Sequence, residues 1–256
     1  ILFPIVIVIA VVLYFGIHTY LSYFIKNQNI FIAAIAFYLV FNLHFLMGFL
    51  NFSIGLGFSL LIMIYLAKKE LKVNVWVFSG MLLILYLSHF LALLLLIIFL
   101  AVYIFQTKKY KVLWSLLPAF VPVVLLGAEY YFTKSISDLP VSPNIDNLAG
   151  KIRLILHNIF SVIIPFHHYK WLMEPGLVLQ IATYLFCVLL SVLIFFAGFK
   201  AWKGRKWTLQ ICLSLVLFAA IIVTPYYFGG VMFPSTRLSV FFILNIFAIL
   251  FSRDIS

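Results

Sequence analysis

The sequence is poor in charge and poorest in acid. Glu70, Glu129, Asp138, Asp146, Glu174 and Asp254 are its six carboxylates in 256 residues, and only 9% of the chain is charged. Soluble domains carry roughly 25%. The six positions provide no close carboxylate pair of the glycosidase kind, no acidic pair of the prenyltransferase kind and no acid-based metal site. The G-x-S-x-G elbow of serine hydrolases is also missing. Cys187 and Cys212 both lie in apolar runs, where cysteine acts as a small hydrophobe, and they form no zinc-binding pattern. No cofactor is implied. Haem would need two facing histidines, and sequence spacing alone does not establish His44 and His89 as such a pair. The first residues, Ile1-Leu2-Phe3-Pro4, lack an initiator Met and the basic start of a signal peptide. A preceding N-terminal portion is therefore expected.

What the chain has in abundance is apolar surface, with 66% of its residues hydrophobic. Runs of about 18 or more apolar residues recur, which is the hydropathy signature of membrane-spanning helices. The ten-residue alternation of a membrane β-barrel is absent. The expected fold class is all-α, a polytopic transmembrane helical bundle forming a single domain over 1–256. The formal charge of +11 is gathered in short clusters at the ends of apolar runs. Such placement signals topology and contact with anionic lipid headgroups, so membrane lipids are the expected partners and nucleic acid is not.

About 20 residues of helix cross a bilayer core of roughly 30 Å. Residues 1–25 make one span. Residues 30–67 would reach roughly 57 Å as a single helix, so two crossings with a corner near Gly48 fit better. Residues 73–107 lie between two lysine clusters, Lys68-Lys69-Glu70-Leu71-Lys72 and Lys108 to Lys111. If both clusters face one side, this segment turns back at Ser88-His89; one long tilted helix is the alternative. Residues 112–132 cross next, kinked by Pro118 and Pro122. A large outer loop over 133–176 precedes spans at 177–199, 207–224 and 238–252. Nine spans place twelve basic residues inside and five (Lys134, Lys151, Arg153, Lys170 and Arg237) outside, as the positive-inside rule requires.

Within this topology, Asn51, Gly55 and Ser59 share one face of the third span. Small residues in such a row admit a neighbouring helix, and Asn51 either hydrogen-bonds across that contact or lines an outward pocket. Residues 144–165 follow helical apolar spacing, with Asp146, Lys151, Arg153, His157 and Asn158 interposed. They read as an interfacial amphipathic helix, either plain packing or a lid for a lipid substrate. His44 and His89 fall at expected outer corners, and His167, His168, Lys170 and Arg237 fall in outer loops. Together they would form a cationic pocket suited to a lipid-linked phosphate. The plainer reading is that the histidines are hydrogen-bonded structural residues.

Three stretches, GFLNFSIGLGFSLL (48–61), LILYLSHFLALLLL (83–96) and PSTRLSVFFIL (234–244), resemble bacterial polytopic membrane proteins related to the GT-C class of membrane glycosyltransferases. The resemblance implies a polyprenyl-phosphate sugar donor and transfer at the outer face of the bacterial cytoplasmic membrane. It also implies an acidic catalytic residue in the first outer loop, yet no acid precedes Glu70. Either that loop lies before Ile1 or the protein is a non-catalytic relative. Arg237 best matches a lipid-phosphate position, with Lys170 and His167 or His168 stabilising the departing phosphate. Glu174 is the one weak candidate for a catalytic base within the chain. The competing expectations are an integral subunit of a larger membrane complex, with other membrane subunits as partners, and a transporter.

Overall fold

The computed structural model describes residues 2–25, 29–41, 45, 49–133, 192, 195–199, 208–223, 227–228, 231–232 and 234–251. The expected outer loop beyond Thr133, the helix at 144–165, the corner at Gly48 and most of the span at 177–199 lie outside the described residues.

An apolar medium offers the backbone no hydrogen-bond partners, so apolar runs satisfy their own amides as helix. The described helices are α1 (Leu2–Phe24), α2 (Asn29–Val40), α3 (Leu50–Lys68), α4 (Val75–Ser88), α5 (Phe90–Thr107), α6 (Tyr110–Leu116), α7 (Val121–Thr133), α8 (Leu209–Val223) and α9 (Pro234–Phe251). A short 3-10 turn, Leu117–Phe120, joins α6 to α7. It carries Pro118 and is followed by Pro122, so the expected kink takes the form of a tightened turn. Four segments are long and apolar enough to cross a membrane: Phe3–Phe24, Leu50–Lys68, Phe90–Thr107 and Tyr110–Glu129. The chain is a multi-helix integral membrane protein. Its only described strands are the two-residue pair β1 (Tyr227–Phe228) and β2 (Val231–Met232), antiparallel with Tyr227 opposite Met232. Hydropathy reads this stretch as plain loop, although Gly229-Gly230 between two apolar pairs is a recognised hairpin signal.

Two compact units are present. The first takes Ile1–Tyr20, Leu50–Pro143 and Pro225–Pro234. Helix α3 is its centre: 67% of its apolar window is buried, against 33% for α1 and 17% for Tyr110–Glu129. Helix α3 and helix α5 run parallel. At one end Gly55 faces Ala92, and at the other the Tyr103 hydroxyl donates to the Ala67 carbonyl at 3.4 Å. Between them α4 runs the opposite way, from the turn after Lys68 to Ser88, whose Cβ also lies beside Gly55. The segment 73–107 thus doubles back at His89, and both lysine clusters lie at one end of the unit. Lys109 Nζ meets Glu70 Oε2 there at 2.8 Å. Farther along, Phe120 packs edge-on against Phe78 of α4 at 5.8 Å.

The turn after α3 has its own logic. The Leu71 amide donates to the Leu66 carbonyl and the Glu70 amide to that of Ala67, which is a Schellman ending. Glu70 and Leu71 have φ of 51° and 65°, a left-handed conformation usually given to glycine. Buried Leu71 and Leu66 supply the apolar contact that accompanies this motif.

Lipid tails are as apolar as leucine, so helices in a bilayer associate through close packing rather than through release of water. The closest approach is between α1 and α3. A Cβ on Gly16 would stand 2.6 Å from the Gly57 carbonyl oxygen, and one on Gly57 would stand 2.9 Å from that of Val12. Backbone meets backbone, and no rotamer change can make room.

The second unit comprises Leu21–Phe49, Asn144–Thr224 and Ser235–Ser256. Phe31 in the first turn of α2 packs on Phe251, the last residue of α9, at 4.7 Å. Phe49 lies beneath Arg237 in the first turns of α9, so Phe31 and Phe49 pack at opposite ends of that helix. Phe218 of α8 meets Phe242 of α9 at 5.9 Å. Asn245, fully buried in α9, donates from its side-chain amide to the Phe241 carbonyl one turn back at 2.8 Å. Helix α9 begins at Pro234, not at 238 as hydropathy alone would place it. Proline's fixed φ suits the first helical position, where its missing amide N–H costs nothing. Arg237 consequently sits within the helix and not in the loop before it.

The glycine contacts and the ion pair each have a measurable consequence. Gly57→Ala and Gly16→Ala each lower stability by about 1–3 kcal/mol through overpacking, measured by thermal unfolding in detergent. Gly80→Ala, with no atom within 4 Å of the added Cβ, is neutral or stabilises by up to about 1 kcal/mol through helix propensity. In the Glu70–Lys109 pair, the hydrogen bond and charge of Lys109 hold the Glu70 carboxyl below its usual range, and Glu70 raises Lys109. The stabilisation is therefore present above the ordinary carboxylate pKa and is lost as pH falls through the depressed value. At the alkaline end it is lost as pH rises through the raised lysine value. Glu70 is exposed and Lys109 half-exposed, so the acid-side difference between wild type and Glu70→Gln is small and shrinks in high salt.

Candidate functional site

Of the residues assembled into the expected cationic pocket, His44, His167, His168 and Lys170 lie outside the described residues, as does the candidate base Glu174. Asn51, His89 and Arg237 can be placed.

His89 is the hinge between α4 and α5. Its backbone is extended, with φ −171° and ψ 127°, so it ends one helix and begins the next. Its amide donates to the Leu85 carbonyl at 2.8 Å. Its Nδ1 accepts from the Leu91 amide at 3.1 Å, meeting one of the donors that the start of every helix leaves orphaned. The imidazole also stands edge-on to Phe52 of α3 at 5.4 Å. Local chemistry thus gives His89 a capping role at the corner of the α4–α5 hairpin.

Asn51 occupies the first turn of α3 and is exposed, whereas Gly55 and Ser59 on the same face are buried. A Cβ on Gly55 would stand 2.9 Å from the Ala92 Cβ and 3.5 Å from that of His89. The small-residue row therefore seats the α4–α5 corner through Gly55. Asn51 is left outside that contact.

Arg237 is only 4% exposed. Its guanidinium carbon lies 4.5 Å above the centroid of the Phe49 ring, a cation–π contact. Stacking on an aromatic face leaves a guanidinium's edge donors directed sideways. Its position in the first turns of α9 places it at the positive end of the helix dipole, where carboxylates and phosphates are favoured and cations are not. A cation at that end of a helix gains nothing from the dipole, and the Phe49 ring is one of its contacts. Sequence reasoning singles out Arg237 but misses Phe49. An apolar phenylalanine among many carries no signal of its own, and it is the fold of the second unit that brings it under the guanidinium.

Glu129, the one acid within a described helix, is exposed on α7. Among the described residues no group of three or more His, Cys, Asp or Glu stands together as a metal site. No protein-family model, no curated protein and no solved structure matches this chain.

The His89 cap predicts a graded series. His89→Ala loses about 1 kcal/mol in thermal unfolding, while His89→Asn, which retains a side-chain acceptor at the same position, stays close to wild type.

Proposed function

We propose that this chain handles a lipid-linked phosphate within the bilayer, as a GT-C-like membrane glycosyltransferase or a relative of one. The observation that carries this reading is Arg237, a nearly buried guanidinium stacked on Phe49 at the start of α9. Guanidinium and helix N-terminus together favour an anion with several acceptor oxygens. A phosphate or pyrophosphate headgroup meets that requirement, and its polyprenyl tail suits the surrounding apolar helices. The resemblance at 48–61, 83–96 and 234–244 points to the same donor class, a polyprenyl-phosphate sugar.

In this reading nine spans and a large outer loop put Arg237, Lys170, His167 and His168 on the outer side of a bacterial cytoplasmic membrane. The cations bind the donor phosphate and stabilise its charge as the sugar leaves. Transfer also needs a base to deprotonate the acceptor hydroxyl. Glu174 is the weak candidate within the chain, so the donor seat is better supported than the catalytic step. The scarcity of acid, six carboxylates in all, favours a second reading: a non-catalytic membrane subunit that retains the same lipid-phosphate seat.

The test is stabilisation of the purified protein by a short-chain polyprenyl phosphate in detergent. At about 100 times the dissociation constant the ligand adds roughly 2.7 kcal/mol, seen as a rise in the unfolding midpoint. Arg237→Met abolishes the rise, and Arg237→Lys, which keeps charge but loses the planar fork, weakens binding. Phe49→Leu weakens it less. An Arg237→Met protein stabilised as strongly as wild type would overturn the seat. Turnover of a polyprenyl-phosphate sugar separates enzyme from subunit.

A further inference from the structure

The lysine-bearing end of the first unit raises a separate question. Two turns far apart in sequence meet there: Lys68-Lys69-Glu70-Leu71-Lys72 after α3, and Lys108-Lys109 before α6, with Lys111 in its first turn. Six lysines accompany a single carboxylate. That carboxylate, Glu70, is engaged by Lys109 at 2.8 Å, and Lys72 lies near enough to lower its pKa as well. Lys68, Lys69, Lys72, Lys108 and Lys111 are all exposed. The Tyr103–Ala67 hydrogen bond and the parallel packing of α3 and α5 hold the two turns at one level.

Large aromatic side chains ring this end. Trp76 in the first turn of α4 is 82% exposed, Trp114 of α6 is 75% exposed, and Tyr110 is 51% exposed. Exposed Trp and Tyr near the ends of apolar membrane helices belong to the headgroup layer, where an amphipathic ring finds both its environments. A surface built for nucleic acid or for a soluble acidic protein has no need of such a belt.

We infer that the α3–α4 and α5–α6 turns form one composite docking surface for the anionic headgroups of the surrounding leaflet. Glu70–Lys109 holds the two lysine clusters in register. The phosphodiesters of acidic phospholipids sit between the clusters, with Trp76, Tyr110 and Trp114 at the glycerol level. This surface is independent of the Arg237 seat and does not require that the protein be an enzyme.

The test uses the full chain in phosphatidylcholine nanodiscs, with Trp171, Trp202 and Trp207 replaced by Phe so that Trp76 and Trp114 report. Quenching by a minor fraction of dibrominated phosphatidylglycerol is compared with quenching by the same fraction of dibrominated phosphatidylcholine. The expected result is a phosphatidylglycerol preference of at least about fivefold, the factor one lysine near an anionic surface supplies, falling as salt is raised. Glu70→Gln with Lys109→Gln preserves net charge but uncouples the turns, and lowers the preference. Lys68→Gln/Lys69→Gln/Lys72→Gln and Lys108→Gln/Lys111→Gln each remove most of it. Equal quenching by both lipids in the unmutated turns overturns the surface. A preference untouched by the charge-neutral double substitution, or simply halved by each cluster variant, overturns the single composite site in favour of independent lysines. Should the reporter variant fold poorly, native mass spectrometry of the lipid retained by the protein with all its tryptophans measures the same preference.

Discussion

The described architecture depends most on how closely α3 can approach its neighbours. In lipid the burial of leucine against leucine gains little over burial against acyl chains, so what distinguishes a bound helix from a drifting one is contact at short range. Gly57 supplies that contact with α1, where its backbone and that of Gly16 touch without intervening side chains. Gly55 supplies it with the α4–α5 corner. Around these two points Phe52, Leu56 and Leu60 of α3 are fully buried, along with Phe78 and Phe99 on α4 and α5. The glycines set the distance, and the large side chains fill what remains.

A second constraint acts where helices stop. Every break exposes backbone amides and carbonyls that an apolar environment will not solvate, and three of the described breaks are closed by local devices. His89 caps α5 with its ring and ends α4 with its amide. Asn74 accepts from the Trp76 amide at 2.8 Å to start α4. The Schellman turn at Glu70 ends α3 with a left-handed glutamate, and its side chain then ties that turn to Lys109. His89, expected either as a hydrogen-bonded structural residue or as a pocket residue, is here an element of secondary structure. The same residue type would have suited either purpose.

Charge is scarce enough that its placement is informative. Six of the seventeen basic residues gather at one end of the first unit around a single carboxylate, an arrangement suited to a headgroup layer. Arg237 is different in kind. It is nearly buried, stacked on an aromatic ring and located where a helix dipole already favours negative charge. The two settings differ in exposure and surroundings, the lysines exposed around two helix turns and Arg237 buried against Phe49.

Much was determined by sequence alone. Hydropathy specified helices, because an apolar medium leaves the backbone no other way to satisfy its hydrogen bonds. The polar break at Ser88-His89 between two lysine clusters left a hairpin and one long tilted helix open, and the structure chose the hairpin by bringing both clusters to one end of the first unit. Gly55 was legible as a packing residue from the row of small side chains. The tertiary structure decided what spacing could not express: that Gly16 meets Gly57, that Asn51 stays outside the contact made by Gly55, that α9 starts early enough to contain Arg237, and that Phe49 lies beneath it. The early start of α9 rests on Pro234 at its first position, and the three contacts share one physical reason. Periodicity reports which face of a helix a residue occupies, whereas the partner on that face comes from another part of the chain and is chosen by packing.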